Sequence, residues 1–155
     1  MKKQKITIGD IVEIKIESNF YCYAQILPNA GYAFFDIKSS SPIDNIEKLN
    51  DVPILFILSV YNDVITEGLW LKVGKLPIRD TLKQQPLQFI QDQLNPDKFE
   101  LYNPNTGESK QAEKGDCKGL ERASVWEAEE VEERLLDHFK GRKNRLVEED
   151  RAVFE

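Results

Sequence analysis

Hydrophobic and polar positions alternate from Ile11 to Glu17: Val12, Ile14 and Ile16 share one side, Glu13, Lys15 and Glu17 the other. A period of two predicts a strand with one buried face. Ser18-Asn19 reads as a turn. Phe20–Leu27 follows as a second strand, with Phe20, Cys22, Ala24 and Ile26 on one side and Tyr21, Tyr23, Gln25 and Leu27 on the other. Pro28-Asn29-Ala30-Gly31 predicts a second turn, with Gly31 available for a positive φ, and Tyr32–Ile37 a third strand. Three consecutive strands from Gly9-Asp10 predict a small, strongly bent sheet. Ser41-Pro42 signals a helix start, with a short helix over Pro42–Leu49 burying Ile43, Ile46 and Leu49. Ile54–Tyr61 is continuously apolar and reads as a strand buried on both faces. Leu69–Val73, between Gly68 and Gly74, is a further strand.

Pro77 and Pro86 bracket a polar connector, Ile78–Gln85, which marks the weakest joint of the chain. Neither flank carries a complete pattern alone, so one domain over residues 1–155 is expected, with that joint at 78–86. Leu87–Gln91 and Phe99–Tyr102 read as short strands. Asn103–Gly107 is a tight turn with Pro104 at its second position and a permissive Gly107. Glu108–Ala112 returns as the hairpin partner, and Leu120–Ala123 is a last short strand or an extended lead-in. Ser124-Val125-Trp126-Glu127 has capping-box spacing, with Ser124 as N-cap. The helix Glu127–Lys140 then buries Ala128, Val131, Leu135 and Phe139, with Leu136 alongside. Glutamates load its first two turns; Lys140, Arg142 and Lys143 crowd its end, and Gly141 terminates it. That polarity suits the helix dipole. The charged tail Arg145–Glu155 is open to two readings, a helical fragment or a frayed end.

Composition adds bounds rather than an activity. The chain has 155 residues, 41% hydrophobic and 31% charged, and a formal net charge of −6. This is globular composition. The acidity sits almost wholly after residue 80, which argues against direct nucleic-acid binding and suits a basic partner. The start Met1–Lys5 is cationic, but no apolar run follows it, so no signal peptide is expected. The longest apolar run, Val52–Val60, contains Pro53 and Ser59 and is too short to span a bilayer. Cys22 and Cys117 lie far apart and read as reduced structural thiols, consistent with a cytoplasmic protein.

Candidate chemistry is sparse. His138 is the only histidine, which weakens zinc and binuclear-metal readings. There is no Cys-x-x-Cys pair, no EF-hand spacing and no Gly-rich phosphate loop, so no cofactor is expected. Asp116-Cys117 and Glu121-Arg122 bring acid, thiol and cation together, yet no base lies near Cys117 to activate it. Glu121–Arg122 reads as a local ion pair. Two sets of residues are interaction candidates. One is the acidic helix face of Glu129, Glu130, Glu133 and Asp137, either a solvated face or a docking patch. The other is the aromatics Tyr21, Tyr23, Tyr61 and Trp70, either core or an outer sheet face, since Tyr and Trp are frequent interface anchors.

Six segments together resemble the bacterial immunity protein 26 family: GDIVEIKI at 9–16, YAFFDIKS at 32–39, PILFILSV at 53–60, GKLPI at 74–78, FIQDQLNPDKFELYNPNTGE at 89–108 and GLERASVWEAEEVEERLLDHFKGRKN at 119–144. The resemblance covers most of the chain in order. It implies a cytosolic protein of polymorphic-toxin or contact-dependent competition systems that binds a cognate toxin domain and blocks it without catalysis. The family name is sometimes joined to that of an organophosphate-hydrolysing phosphotriesterase. With one histidine and no metal cluster legible, no catalytic residue carries over.

The expected fold is therefore α+β: a strongly bent antiparallel sheet, barrel-like in its most closed form, with a C-terminal amphipathic helix packed on it. The expected function is an immunity protein, a monomer or weak homodimer, whose partner is a toxin domain. A basic nuclease is the toxin that the acidic face would suit. The alternatives are a phosphotriesterase-like hydrolase and a β-barrel adaptor without a toxin partner.

Overall fold

A computed structural model describes residues 3–17 and 20–155; the expected turn at Ser18-Asn19 lies outside the described residues. The alternating stretch forms β1 (Asp10–Ile16) and pairs antiparallel with β2 (Phe20–Ile26), with Ile14 opposite Cys22. β3 (Gly31–Phe35) and β4 (Ile54–Val60) continue the meander, and β5 (Leu71–Lys75) returns to the free side of β1. β9 (Val125–Trp126) closes the far side by pairing parallel to β4. The sheet runs β5-β1-β2-β3-β4-β9. Register shifts at Ile11/Val12 and at Phe34/Phe35 bend it. Its outer strands do not meet, so the sheet is open and the barrel-like form is corrected. A second sheet of three strands contains β6 (Gln88–Gln91), β7 (Phe99–Tyr102) and β8 (Ser109–Ala112).

The period of two decides which core each residue enters. Val12, Ile14, Ile16, Cys22, Ala24 and Ile26 point to one face and meet the long helix α3 (Ala128–Phe139) through Ala128, Val131 and Leu135. Phe20 and Phe139 close this layer edge to face at 5.9 Å. Ile11, Tyr23, Phe35 and Leu27 point the other way, under the 3-10 turn Ile46–Asp51 and the connector residues Ile78 and Leu82. The connector is docked along its length: Arg79 donates to the carbonyls of Leu49 and Val52, and the Gln85 amide donates to Pro28. Between β4 and β5 lies α1 (Asp63–Thr66), after β8 lies α2 (Lys114–Cys117), and the tail folds as α4 (Arg145–Ala152).

Several local expectations change. The helix expected at Pro42–Leu49 is the 3-10 turn Ile46–Asp51, because Asn45 and not Ser41 caps the backbone, accepting from Glu47 N at 3.0 Å. Most of β4 is half-buried rather than buried on both faces. The strand expected at Leu69–Val73 starts two residues later, because Trp70 enters the core instead. In the Pro28–Gly31 turn the positive φ falls on Asn29 and Ala30; Gly31 is required for another reason, since a Cβ there would lie 2.6 Å from Gln85 Oε1. Leu120–Ala123 contributes one isolated bridge, Arg122 to Phe89, and no strand. Burial of the Trp126 indole holds Val125–Trp126 extended, so α3 starts later, with Glu127 as N-cap and Glu130 reaching back to its amide. Gly141, with φ 67°, ends α3 as expected.

Candidate functional site

The structure divides the four acids of α3. Val131 and Leu135 face the sheet, which turns Glu129 fully outward; among the described residues it has no cationic partner. Glu130 Oε1 accepts from the Glu127 amide at 3.0 Å, leaving its charge unpaired by any cation among the described residues. Glu133 pairs with Arg145 at 3.0 Å. Asp137 accepts from Asn144 at 3.0 Å and meets Arg142 at 3.2 Å. The outward negative potential of this helix is thus concentrated in its first turn.

The four aromatics separate further. Tyr23 and Trp70 are buried, 0% and 1% exposed, so of the two readings the core one holds for both. The Tyr23 hydroxyl donates to Glu13 at 2.8 Å and accepts from the Ile43 amide, and burial pushes its pKa well above the ordinary tyrosine value. The Trp70 ring sits edge to face against Tyr32 and Phe34, and its Nε1 donates to Glu132 at 3.1 Å. Tyr21 is half-buried on the face away from α3, packed against the cluster of Ile11, Phe35 and Leu49. Tyr61 alone stands out, 51% exposed, where β4 ends and α1 begins.

Tyr61 and Glu129 come together. They line an open cleft of about 440 Å³ with Asn62, Asp63, Leu69, Glu127 and Ala128. One wall is the β4–α1–β5 connection, the other the first turn of α3. Backbone pairing fixes the walls against each other: Tyr61 N donates to Trp126 O at 3.1 Å. Tyr61, Leu69 and Ala128 give an apolar floor, and Asp63, Glu127 and Glu129 a carboxylate rim. A second cleft of about 360 Å³ lies across the same helical turn, lined by Val125, Trp126, Glu130, Leu146, Glu149 and others. Such surfaces can take long side chains with an apolar stem and a positive head. Asp63, Leu69 and Glu149 were not singled out by sequence reasoning. In sequence Asn62-Asp63 only closes the apolar run Ile54–Tyr61, and nothing local says that Leu69 would be left outside.

The remaining sequence candidates are structural. Glu121 does not pair with Arg122: it takes a two-pronged contact from Arg134 at 3.0 and 2.8 Å, and Arg134 lies 3.9 Å over the Phe56 ring. Arg122 pairs with Asp150 at 2.7 Å and lies over Phe89. Cys22 and Cys117 are free and buried in different clusters; burial pushes the Cys22 thiol up to about 12 and raises Cys117. His138 Nε2 lies 3.2 Å from Asp36, joining the end of α3 to the sheet. Among the described residues no group of three or more His, Cys, Asp or Glu is arranged to hold a metal ion, and no helix is long and apolar enough to cross a membrane.

No curated protein and no solved structure matches the chain. A family model does match the chain. The sequence model of Immunity protein 26 matches residues 7–100, from the lead-in to β1 to the start of β7, and the chain belongs to that family.

Proposed function

We propose that this protein is an immunity protein that binds a cognate bacterial toxin domain in the cytoplasm and neutralises it by contact, without catalysis. The observation that carries the reading is the family match over residues 7–100. The surface supports it: Asp63, Glu127, Glu129, Glu130 and Glu149, acids without a cationic partner among the described residues, gather around the first turn of α3, beside the exposed Tyr61, Leu69 and Val125. A negative surface with aromatic and aliphatic anchors suits a basic toxin domain such as a nuclease. The chain acts as one domain in this reading. In support, Arg134 joins α3 to the Glu121 segment, and Phe154 of the tail packs on Phe89 and Phe99 of the second sheet.

The test is protection. A candidate toxin domain, sought at the C-terminus of large secreted proteins encoded near this gene, is expressed in a susceptible host, with and without this chain. Restored growth, together with a stable complex of the purified proteins on sizing chromatography, is the expected result. Unprotected cells and separate elution overturn the reading.

A further inference from the structure

The geometry points to the Tyr61–Glu129 cleft as a socket for a guanidinium-bearing side chain of the partner, an arginine whose stem lies on Tyr61 and Leu69 and whose head meets Asp63 and Glu129. This rests on the immunity reading and assigns the chemistry of one contact within it. Tyr61 and Leu69 are large apolar side chains left 51% and 41% exposed, although their chain neighbours Val60 and Trp70 are buried almost completely. Three carboxylates surround them, Asp63, Glu127 and Glu129, and among the described residues none is paired with a cation. Just beyond α1, Lys3 pairs with Glu67 at 2.6 Å, and Arg134 of α3 pairs with Glu121. The cleft therefore presents excess negative charge around an aromatic face. That arrangement is complementary to arginine, whose planar head stacks on aromatic rings and takes two carboxylate oxygens at once. An uncharged apolar insert would leave the carboxylates facing a dehydrated contact.

The walls are set before any partner arrives. The α1 wall is held by Val64 and Ile65 in the core, and the α3 wall by Ala128 and Val131. One wall lies within residues 7–100 and the other beyond them. A preset socket in the centre of an interface acts on dissociation, whereas outlying charges act mainly on association.

The test uses the intact chain and the purified, catalytically disabled toxin domain, read by binding kinetics. Tyr61→Ala and the pair Asp63→Asn with Glu129→Gln are each expected to raise the dissociation rate about tenfold. Tyr61→Phe, which keeps the ring, stays within about twofold, as does Leu94→Ala on the β6–β7 loop. Melting temperatures of all variants confirm that they are folded. If wild type binds and Tyr61→Ala binds as well, the socket is refuted and the immunity reading stands. If Tyr61→Ala weakens binding but the amide pair does not, the occupant is apolar and the arginine assignment is refuted. If wild type does not bind the toxin domain, the immunity reading itself fails.

Discussion

Glu132 is the acid of α3 that no surface argument would select. It lies between the exposed Glu129 and the core, and its carboxylate accepts from the buried Trp70 indole at 3.1 Å. Burial raises its pKa, the indole hydrogen bond lowers it, and the Glu129 charge raises it; the net direction is up. The folded state therefore binds the Glu132 proton more tightly than the unfolded chain does. This contribution is fully present at acid pH and is lost as pH rises through the ordinary glutamate range toward the raised folded value. Glu132→Gln keeps an acceptor for Trp70 and removes the charge. Its melting temperature is expected to equal or exceed wild type at pH 7, and the advantage over wild type to shrink at pH 4. A variant that loses more stability at pH 7 than at pH 4 would show that the carboxylate charge, not its oxygen, holds Trp70. Arg134 follows the opposite logic: its charge is half-buried but paired and stacked, so it joins elements rather than destabilising them.

At the scale of elements, local pattern specified whatever depended on period and turn chemistry. β1 and β2 appear where alternation places them, and the two sides of β2 enter two different cores. Pro104 and Gly107 build the turn between β7 and β8, with Gly107 at φ 80° and its amide bonded to Asn103 O at 2.8 Å. Long-range burial decided the rest. Trp126 satisfied a helix-start spacing yet is extended, since its indole fills the core beside β4. Trp70 and Tyr23, open in sequence between core and outer face, are core, whereas Leu69, apolar, is left outside. The cleft was legible only in halves: Tyr61 and Glu129 were both candidates, but their meeting depends on the parallel β4–β9 pair, which no local signal encodes. The tail was open between helix and fraying, and one residue decides it. Asn144 is buried, accepts from the Leu146 and Val147 amides at 3.1 Å, and donates to Asp137 at 3.0 Å. Asn144→Ala is expected to cost about 1–2 kcal/mol in denaturant unfolding and to raise hydrogen exchange across α4. Unchanged exchange there would mean that Val153 and Phe154, packed on Phe89, suffice to hold the tail.

At the scale of the whole molecule, charge distribution matters more than net charge. The chain carries −6 at pH 7, but many of its acids are locally neutralised: Asp10 by Lys72, Asp150 by Arg122, Glu133 by Arg145 and Asp137 by Arg142. The acids on both sides of the first turn of α3 that have no cationic partner among the described residues gather negative charge at that end. A partner with a basic face would be steered there, and steering is screened by salt: the Debye length falls from roughly 14 Å at about 0.05 M to roughly 4 Å at about 0.5 M. Association with the toxin domain is therefore expected to slow by about tenfold or more across that range, with dissociation little changed. Reversing Glu129, Glu130 and Glu149 to lysine should slow association at low salt and flatten its salt dependence. Reversing Glu133 and Asp137 should do so less, because Arg145 and Arg142 already cancel them, although it also removes the contacts to Arg145, Arg142 and Asn144 and so needs a melting control. Stopped-flow rates over the salt series separate the two sets. Equal slopes for both triple and double variants would place the steering field elsewhere on the molecule, and a wild-type rate indifferent to salt would leave shape and apolar contact as the whole basis of recognition.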